Sequence, residues 1–144
     1  MSPPSRLWVL VAIAVGGALG TAARYELARI EPVGAGTFPT ATFVANVVGS
    51  LVLGVALVAI ADGLPRSDVA RAFVGVGFCG GLTTFSTWMV ESVLLVRDGE
   101  AGTAVGYLLL SLVAGLVAVA AGVLLARRVL HRDAPFAFDP ERDD

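Results

Sequence analysis

Four long stretches of the sequence carry no charged residue. They hold 17, 30, 19 and 26 residues, and they lie between Arg6 and Arg24, Glu31 and Asp62, Arg71 and Glu91, and Glu100 and Arg127. A helix needs about 20 mostly apolar residues to cross the hydrocarbon core of a bilayer, and about 17 suffice. Each stretch therefore predicts one membrane crossing. A transmembrane strand would instead show about ten residues of alternating polarity.

This pattern predicts an all-α integral membrane protein. The expected spans are Leu7–Ala23, Phe38–Ala61, Ala72–Val96 and Thr103–Ala126. The connections between them are short, so consecutive helices must run antiparallel. We expect residues 1–130 to form one four-helix transmembrane domain. Residues 131–144 are polar and acidic, and we expect them to form a disordered or surface-lying tail.

The composition supports lipid as the surroundings of the chain. Hydrophobic residues make up 56% and charged residues 15% of the sequence, and the mean hydropathy is +0.82. A soluble domain carries about 25% charged residues. The chain has no lysine and no basic patch with interleaved aromatics, which argues against nucleic-acid binding. The single histidine, His131, has no nearby catalytic partner, and no Cys/His cluster offers metal ligands, so we do not expect an enzyme.

The arginines are distributed unevenly over the two sides of the predicted bundle. One side has seven (Arg6, Arg66, Arg71, Arg127, Arg128, Arg132 and Arg142) and the other has three (Arg24, Arg29 and Arg97). Positively charged residues are enriched on the cytoplasmic side of membrane proteins. The distribution therefore predicts that both termini lie in the cytoplasm.

The third span combines glycines with hydroxyl residues. Gly75, Gly77, Gly80 and Gly81 precede the run Thr83–Thr87. Glycine costs about 1 kcal/mol relative to alanine inside a helix. Unwound backbone at membrane depth is tolerated only where it lines a cavity or binds an ion. The segment predicts a third helix that is broken mid-membrane and an ion site built from its backbone. Close glycine packing between helices is the alternative.

The second span carries a polar stripe. Thr42, Asn46, Ser50 and Gly54 are spaced by four and so share one helix face. The amide of Asn46 can donate two hydrogen bonds to an anion. A hydrogen bond between two helices explains the same residue equally well.

Three further features suit either function or structure. Ser111, Gly115, Ala118 and Gly122 form a small-residue face that favours helix packing, and Tyr107 with Ser111 forms either a polar track or satisfied packing. Arg24 either attracts anions at an aqueous vestibule or sets the topology. Glu91, late in the third span, is a functional candidate because acids inside membranes are costly.

Together these segments resemble the Fluc/CrcB family of fluoride channels. The resemblance is carried by Gly16–Gly20 followed by Arg24-Tyr25, by Asn46–Ser50, by Gly77–Thr87, and by Tyr107, Ser111 and Gly115. It extends over all four predicted spans in order. The third-span motif is the most specific part.

The resemblance implies an architecture and a function. The fold would be a dual-topology dimer of antiparallel protomers with two fluoride pathways, and a structural Na⁺ would be held by the backbone carbonyls of Gly80 and Thr83. The implied fluoride pathway consists of Asn46, Thr84, Phe85, Ser86, Trp88, Glu91, Tyr107 and Ser111, with Arg24 at the vestibule. The channel would sit in the cell inner or plasma membrane and export fluoride passively, which protects the cytoplasm against fluoride toxicity. The second protomer would be an identical chain or an oppositely oriented paralogue.

Two positions depart from the family pattern. Trp88 stands where the family usually has a second phenylalanine, and Gly115 stands where some members carry a serine. An indole keeps an aromatic edge and adds an N–H donor, but it is bulkier than a phenyl ring.

Two other kinds of membrane protein are alternatives to the channel. A small multidrug-type proton-coupled antiporter has four helices and is dimeric, but it needs a carboxylate deep in the first span, and Leu7–Ala23 contains none. A non-conducting membrane subunit would explain the glycine packing but would not need Asn46 or the hydroxyl run.

Overall fold

The computed structural model describes residues 6–61 and 68–130, and all regular secondary structure within these ranges is helical. The first two spans are α1 (Arg6–Ile30) and α2 (Thr40–Ala61). The third span is built from α3 (Asp68–Arg71), a π-helix (Ala72–Cys79), α4 (Gly80–Leu82) and α5 (Ser86–Arg97). The fourth span is α6 (Ala101–Leu130).

Within the described residues, four helical segments are long and apolar enough to cross a membrane, so the chain is a multi-pass membrane protein. They are Arg6–Ile30, Thr40–Ala61, Asp68–Arg97 and Ala101–Val129. The expectations for the connection at residues 62–67 and for the tail at 131–144 fall outside the described residues.

The first, third and fourth spans are longer than the charge-free stretches that predicted them, whereas α2, with 22 residues, is shorter than its stretch of 30. The first span was expected to end at Ala23, but α1 continues to Ile30. The added turns contain Glu26 and Arg29, which form an exposed salt bridge of 3.0 Å one helical turn apart. Charged residues are tolerated at a helix end because their side chains reach water, so the charge pattern defines only the apolar centre of a span.

Glycines bring α1 into backbone contact with the third span. A Cβ on Gly20 would overlap the carbonyl oxygen of Phe78, and one on Gly77 would lie 2.8 Å from the carbonyl oxygen of Ile13. No side chain fits between backbones this close. The packing interpretation therefore accounts for Gly77, and also for Gly81, whose Cβ would overlap the Gly17 carbonyl.

The small-residue faces of α2 and α6 meet in the same way. A Cβ on Gly54 would overlap the carbonyl oxygen of Val119, and one on Gly122 would overlap that of Leu51. Small residues at such spacing allow transmembrane helices to approach closely. Helices α2 and α6 therefore form a tight pair that supports the groove described below.

The third span is interrupted after its glycine-rich segment. The glycine-rich segment remains helical, first as the π-helix and then as α4. The three residues 83–85 that follow are not helical, and Thr83 is extended with φ −81° and ψ 154°. The four glycines themselves are helical; Gly77 and Gly81 pack against α1, whereas a Cβ on Gly75 or Gly80 would meet nothing within 4 Å.

A buried aromatic cluster lies where α5, α6 and the start of α2 meet. Tyr107 is 0% exposed and packs with Leu95 and Ala104. The rings of Phe38 and Tyr107 meet edge to face with their centroids 5.1 Å apart. This cluster fixes α6 against α5 and the start of α2.

Candidate functional site

A groove of about 470 Å³ lies between α2, the interrupted third span and α6. Most of its wall is apolar, but several polar residues line it. These are Asn46, Ser50, Thr83, Thr84, Trp88 and Ser111. The groove thus places the predicted polar stripe of α2 opposite the hydroxyl run of the third span and the small-residue face of α6.

The side-chain amide of Asn46 pairs with the backbone of Thr84 in both directions. Its Nδ2 donates to the Thr84 carbonyl at 3.1 Å, and the Thr84 N–H donates to its Oδ1 at 2.8 Å. Both backbone groups belong to the interrupted segment and have lost helical partners. Asn46 therefore satisfies both backbone groups of Thr84 at the interruption, and the second N–H of its Nδ2 remains for another acceptor.

Thr84 also starts α5. Its Oγ1 accepts a hydrogen bond from the Thr87 N–H at 3.2 Å and donates to Thr87 Oγ1 at 3.1 Å. A threonine whose oxygen accepts from the N–H three residues later is a helix N-cap. Ser86 Oγ lies 3.4 Å from Thr84 Oγ1. The hydroxyl run therefore serves first to restart the helix.

The hydrogen bonds accepted by the Asn46 amide and by the Thr84 hydroxyl leave two backbone carbonyls of the third span without their helical donors. In an α-helix, the N–H of residue i+4 donates to the carbonyl of residue i. In an uninterrupted helix the Thr84 N–H would donate to the Gly80 carbonyl, but here it donates to Asn46 Oδ1. The Thr87 N–H would likewise donate to the Thr83 carbonyl, but here it donates to Thr84 Oγ1. Open space lies beside Gly80, where a Cβ would meet nothing within 4 Å. Carbonyl oxygens suit a hard cation, so this pair fits the ion that the resemblance implies.

Two further polar groups in the groove are buried without a partner. Trp88 Nε1 and Ser111 Oγ have no hydrogen-bond partner within residues 6–61 and 68–130. Ser111 is 9% exposed. A buried donor without a partner is costly, so such groups in a groove indicate that something else binds them.

Phe85 forms the aromatic rim of the groove. Its side chain is 70% exposed, and its ring meets that of Trp88 edge to face with centroids 5.5 Å apart. The positive edge of an aromatic ring attracts electron-rich groups. Trp88 therefore holds the ring of Phe85 at the groove, where an anion could contact both.

Glu91 and Tyr107 lie away from this groove. Glu91 Oε1 accepts a hydrogen bond from Thr42 Oγ1 at 2.8 Å, and its Oε2 accepts one from the Tyr107 hydroxyl at 2.7 Å. Glu91 lines a separate cavity of about 200 Å³ beside the loop between α1 and α2. The sequence-predicted site residues therefore form two groups, one at the interruption and one nearer the end of α5.

Arg24 contacts the third span directly. Its Nε donates to the carbonyl oxygen of Gly81 at 3.2 Å, one residue beyond the carbonyl of Gly80. The guanidinium thus takes the place of the helical donor that Phe85 would supply. The sequence indicated only a vestibule or a topological role for this residue, because nothing in it shows which backbone carbonyl lies within reach.

Three roles of nearby residues were not predicted from the sequence. Thr42 was placed on the polar stripe but not paired with Glu91, and Thr87 was not singled out as the partner of Thr84. Cys79, which lines the groove, accepts at its carbonyl from both the N–H and the hydroxyl of Thr83. A Thr-x-x-Thr pair at the start of a helix, here Thr84 and Thr87, is a sequence signal that could have revealed that Thr84 caps α5.

A family model described as "CrcB-like protein, Camphor Resistance (CrcB)" matches residues 11–123 of the chain. The match begins in α1 and ends in α6, so it contains the groove, the interruption and the pair Glu91–Tyr107.

Curated relatives match over a similar range. A Mycolicibacterium paratuberculosis protein named "Fluoride-specific ion channel FluC 1" is 42% identical over 123 residues, which are 85% of this chain and 93% of the relative. A Mycobacterium tuberculosis protein of the same name is 40% identical with the same coverage. A Streptomyces avermitilis protein named "Fluoride-specific ion channel FluC 3" is 42% identical over 127 residues, and the match covers 88% of this chain but only 62% of that longer protein.

Proposed function

The chain belongs to the CrcB-like family, and from this premise we propose that it is a fluoride-specific ion channel of the cell membrane. It lets fluoride leave the cytoplasm passively and so protects the cell against fluoride toxicity. A channel of this kind is not an enzyme. The relatives named as fluoride channels support this function, since two of those described are covered over 93% of their length.

The groove supplies the observation that carries the proposal. Trp88 Nε1 and Ser111 Oγ are buried in its wall with no partner in the described part of the chain. One N–H of Asn46 and the exposed ring edge of Phe85 add two further weak donors. Fluoride in this groove would accept from these donors and relieve their unsatisfied state.

The kind of donor suits conduction as well as binding. A channel must bind its ion well enough to replace hydrating water, yet weakly enough to let it leave. The sequence has no lysine, and the groove contains amide, hydroxyl, indole and ring-edge donors instead of a fixed cation. We assign Thr84, Ser86 and Ser111 to the hydroxyl part of this pathway. Arg24 stands at its vestibule.

Glu91, Tyr107 and Thr42 form the second part of the pathway. Both carboxylate oxygens of Glu91 are occupied by hydroxyl donors, so its negative charge is partly compensated. A competing acceptor such as fluoride could take one of these hydroxyl donors from the carboxylate. We propose that Tyr107 is that donor.

A structural Na⁺ is part of the proposal. The carbonyls of Gly80 and Thr83 would hold it, and its charge would fix the interrupted segments of the protomers relative to each other. The support is the diversion of the Thr84 and Thr87 N–H groups, which leaves both carbonyl oxygens to another partner. The donor set consists of neutral oxygens, as a hard monovalent cation requires.

The channel would be a dimer of oppositely inserted protomers. The groove is open along one side, and the 70% exposed ring of Phe85 stands at its rim. A second protomer would close the groove and would complete the cation site with its own carbonyls. We propose an identical chain as that protomer; the alternative is an oppositely oriented paralogue, which the uneven arginine distribution over the two sides would require if this chain inserts in one orientation only. Accessibility of a C-terminal tag from both sides of the membrane supports the identical chain, whereas labelling from one side only excludes it.

Flux from liposomes tests the function against its rivals. Purified protein is reconstituted with internal fluoride, and efflux is followed with a fluoride electrode, with chloride-loaded vesicles as the control. The channel releases fluoride but not chloride. Drug-driven proton flux without fluoride release would indicate the antiporter, and no flux of any kind would indicate a non-conducting subunit.

A further inference from the structure

Asn46 lies where the anion pathway and the cation site share one backbone segment. It is bonded on two sides to Thr84, whose N–H would otherwise close the Gly80 carbonyl. We infer that Asn46 is a positioning residue for the cation site, because its amide holds the Gly80 carbonyl open. This inference rests on the Na⁺ site of the proposed function and adds a role for Asn46 that is separate from contact with fluoride.

The Thr84 N–H has two possible acceptors, the side chain of Asn46 and the carbonyl of Gly80. A backbone N–H inside a membrane must find an acceptor, because water is absent there. The structure gives it the Asn46 Oδ1 at 2.8 Å. If that oxygen is removed, the acceptor that an α-helix offers is the Gly80 carbonyl, and α4 can extend past Leu82. Helix extension and cation binding then compete for the same oxygen.

The Asn46 amide also satisfies the carbonyl group of Thr84. Its Nδ2 donates to the Thr84 carbonyl at 3.1 Å, which would be left unpaired if Asn46 became an apolar residue. Aspartate at this position would keep an acceptor for the N–H but would turn a carboxylate oxygen toward the carbonyl. The neutral amide is therefore the side chain that satisfies both backbone groups at once.

The hydroxyl of Thr84 performs the same task one turn later. Because Thr84 Oγ1 accepts from the Thr87 N–H at 3.2 Å, that N–H does not close the Thr83 carbonyl. Both carbonyls of the proposed cation site are thus kept open by side chains rather than by glycine flexibility. Two variants at different residues should produce the same defect.

Sodium-dependent thermal stability measures this role without relying on conduction. The detergent-purified full chain is unfolded by heat at increasing NaCl, with N-methyl-D-glucamine chloride keeping ionic strength constant. A bound cation raises the unfolding temperature in a saturable way. We expect Asn46→Ala and Thr84→Val each to raise the half-saturating Na⁺ concentration by about tenfold or more, the effect of about one recovered helical hydrogen bond. Thr84→Ser keeps the hydroxyl and should restore the wild-type value.

Ser92→Ala is the matched control. It removes a side-chain-to-backbone hydrogen bond of 2.8 Å to the Trp88 carbonyl in the same span, away from the two carbonyls. It should shift the unfolding temperature equally at every Na⁺ concentration. The inference is overturned if Asn46→Ala and Thr84→Val behave like this control while the wild type responds to Na⁺. A wild type that does not respond to Na⁺ overturns the cation site itself and the inference with it. If Asn46→Ala does not fold, Asn46→Leu, which nearly conserves the volume but offers no acceptor, takes its place: the same rise in the half-saturating Na⁺ concentration supports the inference, and an unchanged value overturns it.

Discussion

The Tyr107 hydroxyl donates a hydrogen bond of 2.7 Å to Glu91 Oε2 and so joins α6 to α5. Tyr107 is 0% exposed, and Thr42 on α2 donates to the other oxygen of the same carboxylate. One carboxylate therefore ties three spans together. Its two hydroxyl partners come from helices that are far apart in sequence.

Removing the Tyr107 hydroxyl should destabilise the bundle measurably. Tyr107→Phe keeps the edge contact with Phe38 but leaves one oxygen of Glu91 without its donor. Hydrogen bonds to charged groups contribute about 1.5–3 kcal/mol, so the free energy of unfolding should fall by about that amount. Thr103→Val removes an exposed hydroxyl bond to Glu100 and should change it by less than about 0.5 kcal/mol. Equal effects of the two variants would contradict a structural role for the buried bond.

The close contact between α1 and the third span should not tolerate a methyl group. In Gly20→Ala, the new Cβ would overlap the Phe78 carbonyl, and neither backbone can move aside without disturbing α4. We expect a loss of about 3 kcal/mol in the free energy of unfolding, at the upper end for overpacking. Gly106→Ala, on the exposed face of α6 with nothing within 4 Å, should instead be neutral or gain up to about 1 kcal/mol. A stable Gly20→Ala protein would show that this packing is not required.

The sequence predicts the number of membrane spans and the polar residues within them, but not where the helices end. The four spans were predictable because lipid excludes charge from each one, and Asn46 and the Thr83–Thr87 run were recognisable because polar groups are rare there. The ends of the helices were not, because residues such as Glu26 and Arg29 are compatible with a helix that extends into water.

The details of the site depended on relations that a sequence does not contain. Which backbone Asn46 reaches depends on the register of α2 against the third span, and the pairing with Thr84 follows from that register. The glycines could indicate either unwinding or packing, and only the position of α1 shows that Gly77 and Gly81 are packed. The π-helix over Ala72–Cys79 had no sequence signal that we could identify.

Phe85 should matter for conduction but not for folding of the protomer. Its ring is 70% exposed, so Phe85→Leu should change the stability by less than about 0.5 kcal/mol. Because leucine has no positive ring edge, we expect fluoride efflux from liposomes to fall by about tenfold or more. The control is Leu109→Ala, an exposed position on α6 at 60%, which should retain the wild-type rate. Unchanged efflux in Phe85→Leu would remove this residue from the pathway.

Two variants at Trp88 distinguish the contribution of the aromatic ring edge from that of the indole N–H donor. Trp88→Phe keeps an aromatic edge against Phe85 and removes only Nε1, one of the four donors proposed for the groove, so fluoride efflux should fall by about threefold. Trp88→Leu removes both and should lower the efflux by about tenfold or more. The two variants are compared at equal amounts of reconstituted protein. If Trp88→Phe loses as much as Trp88→Leu, the indole N–H rather than the ring edge is the contact that conduction needs.

The reversal potential of the reconstituted protein tests the central claim most directly. Planar bilayers receive a tenfold gradient of fluoride, with chloride and pH equal on both sides. A fluoride-specific channel lined by the groove between α2, the third span and α6 should give a current that reverses near the fluoride equilibrium potential, about 59 mV for a monovalent ion. A current that reverses at zero, or no current at all from folded protein, would contradict the account.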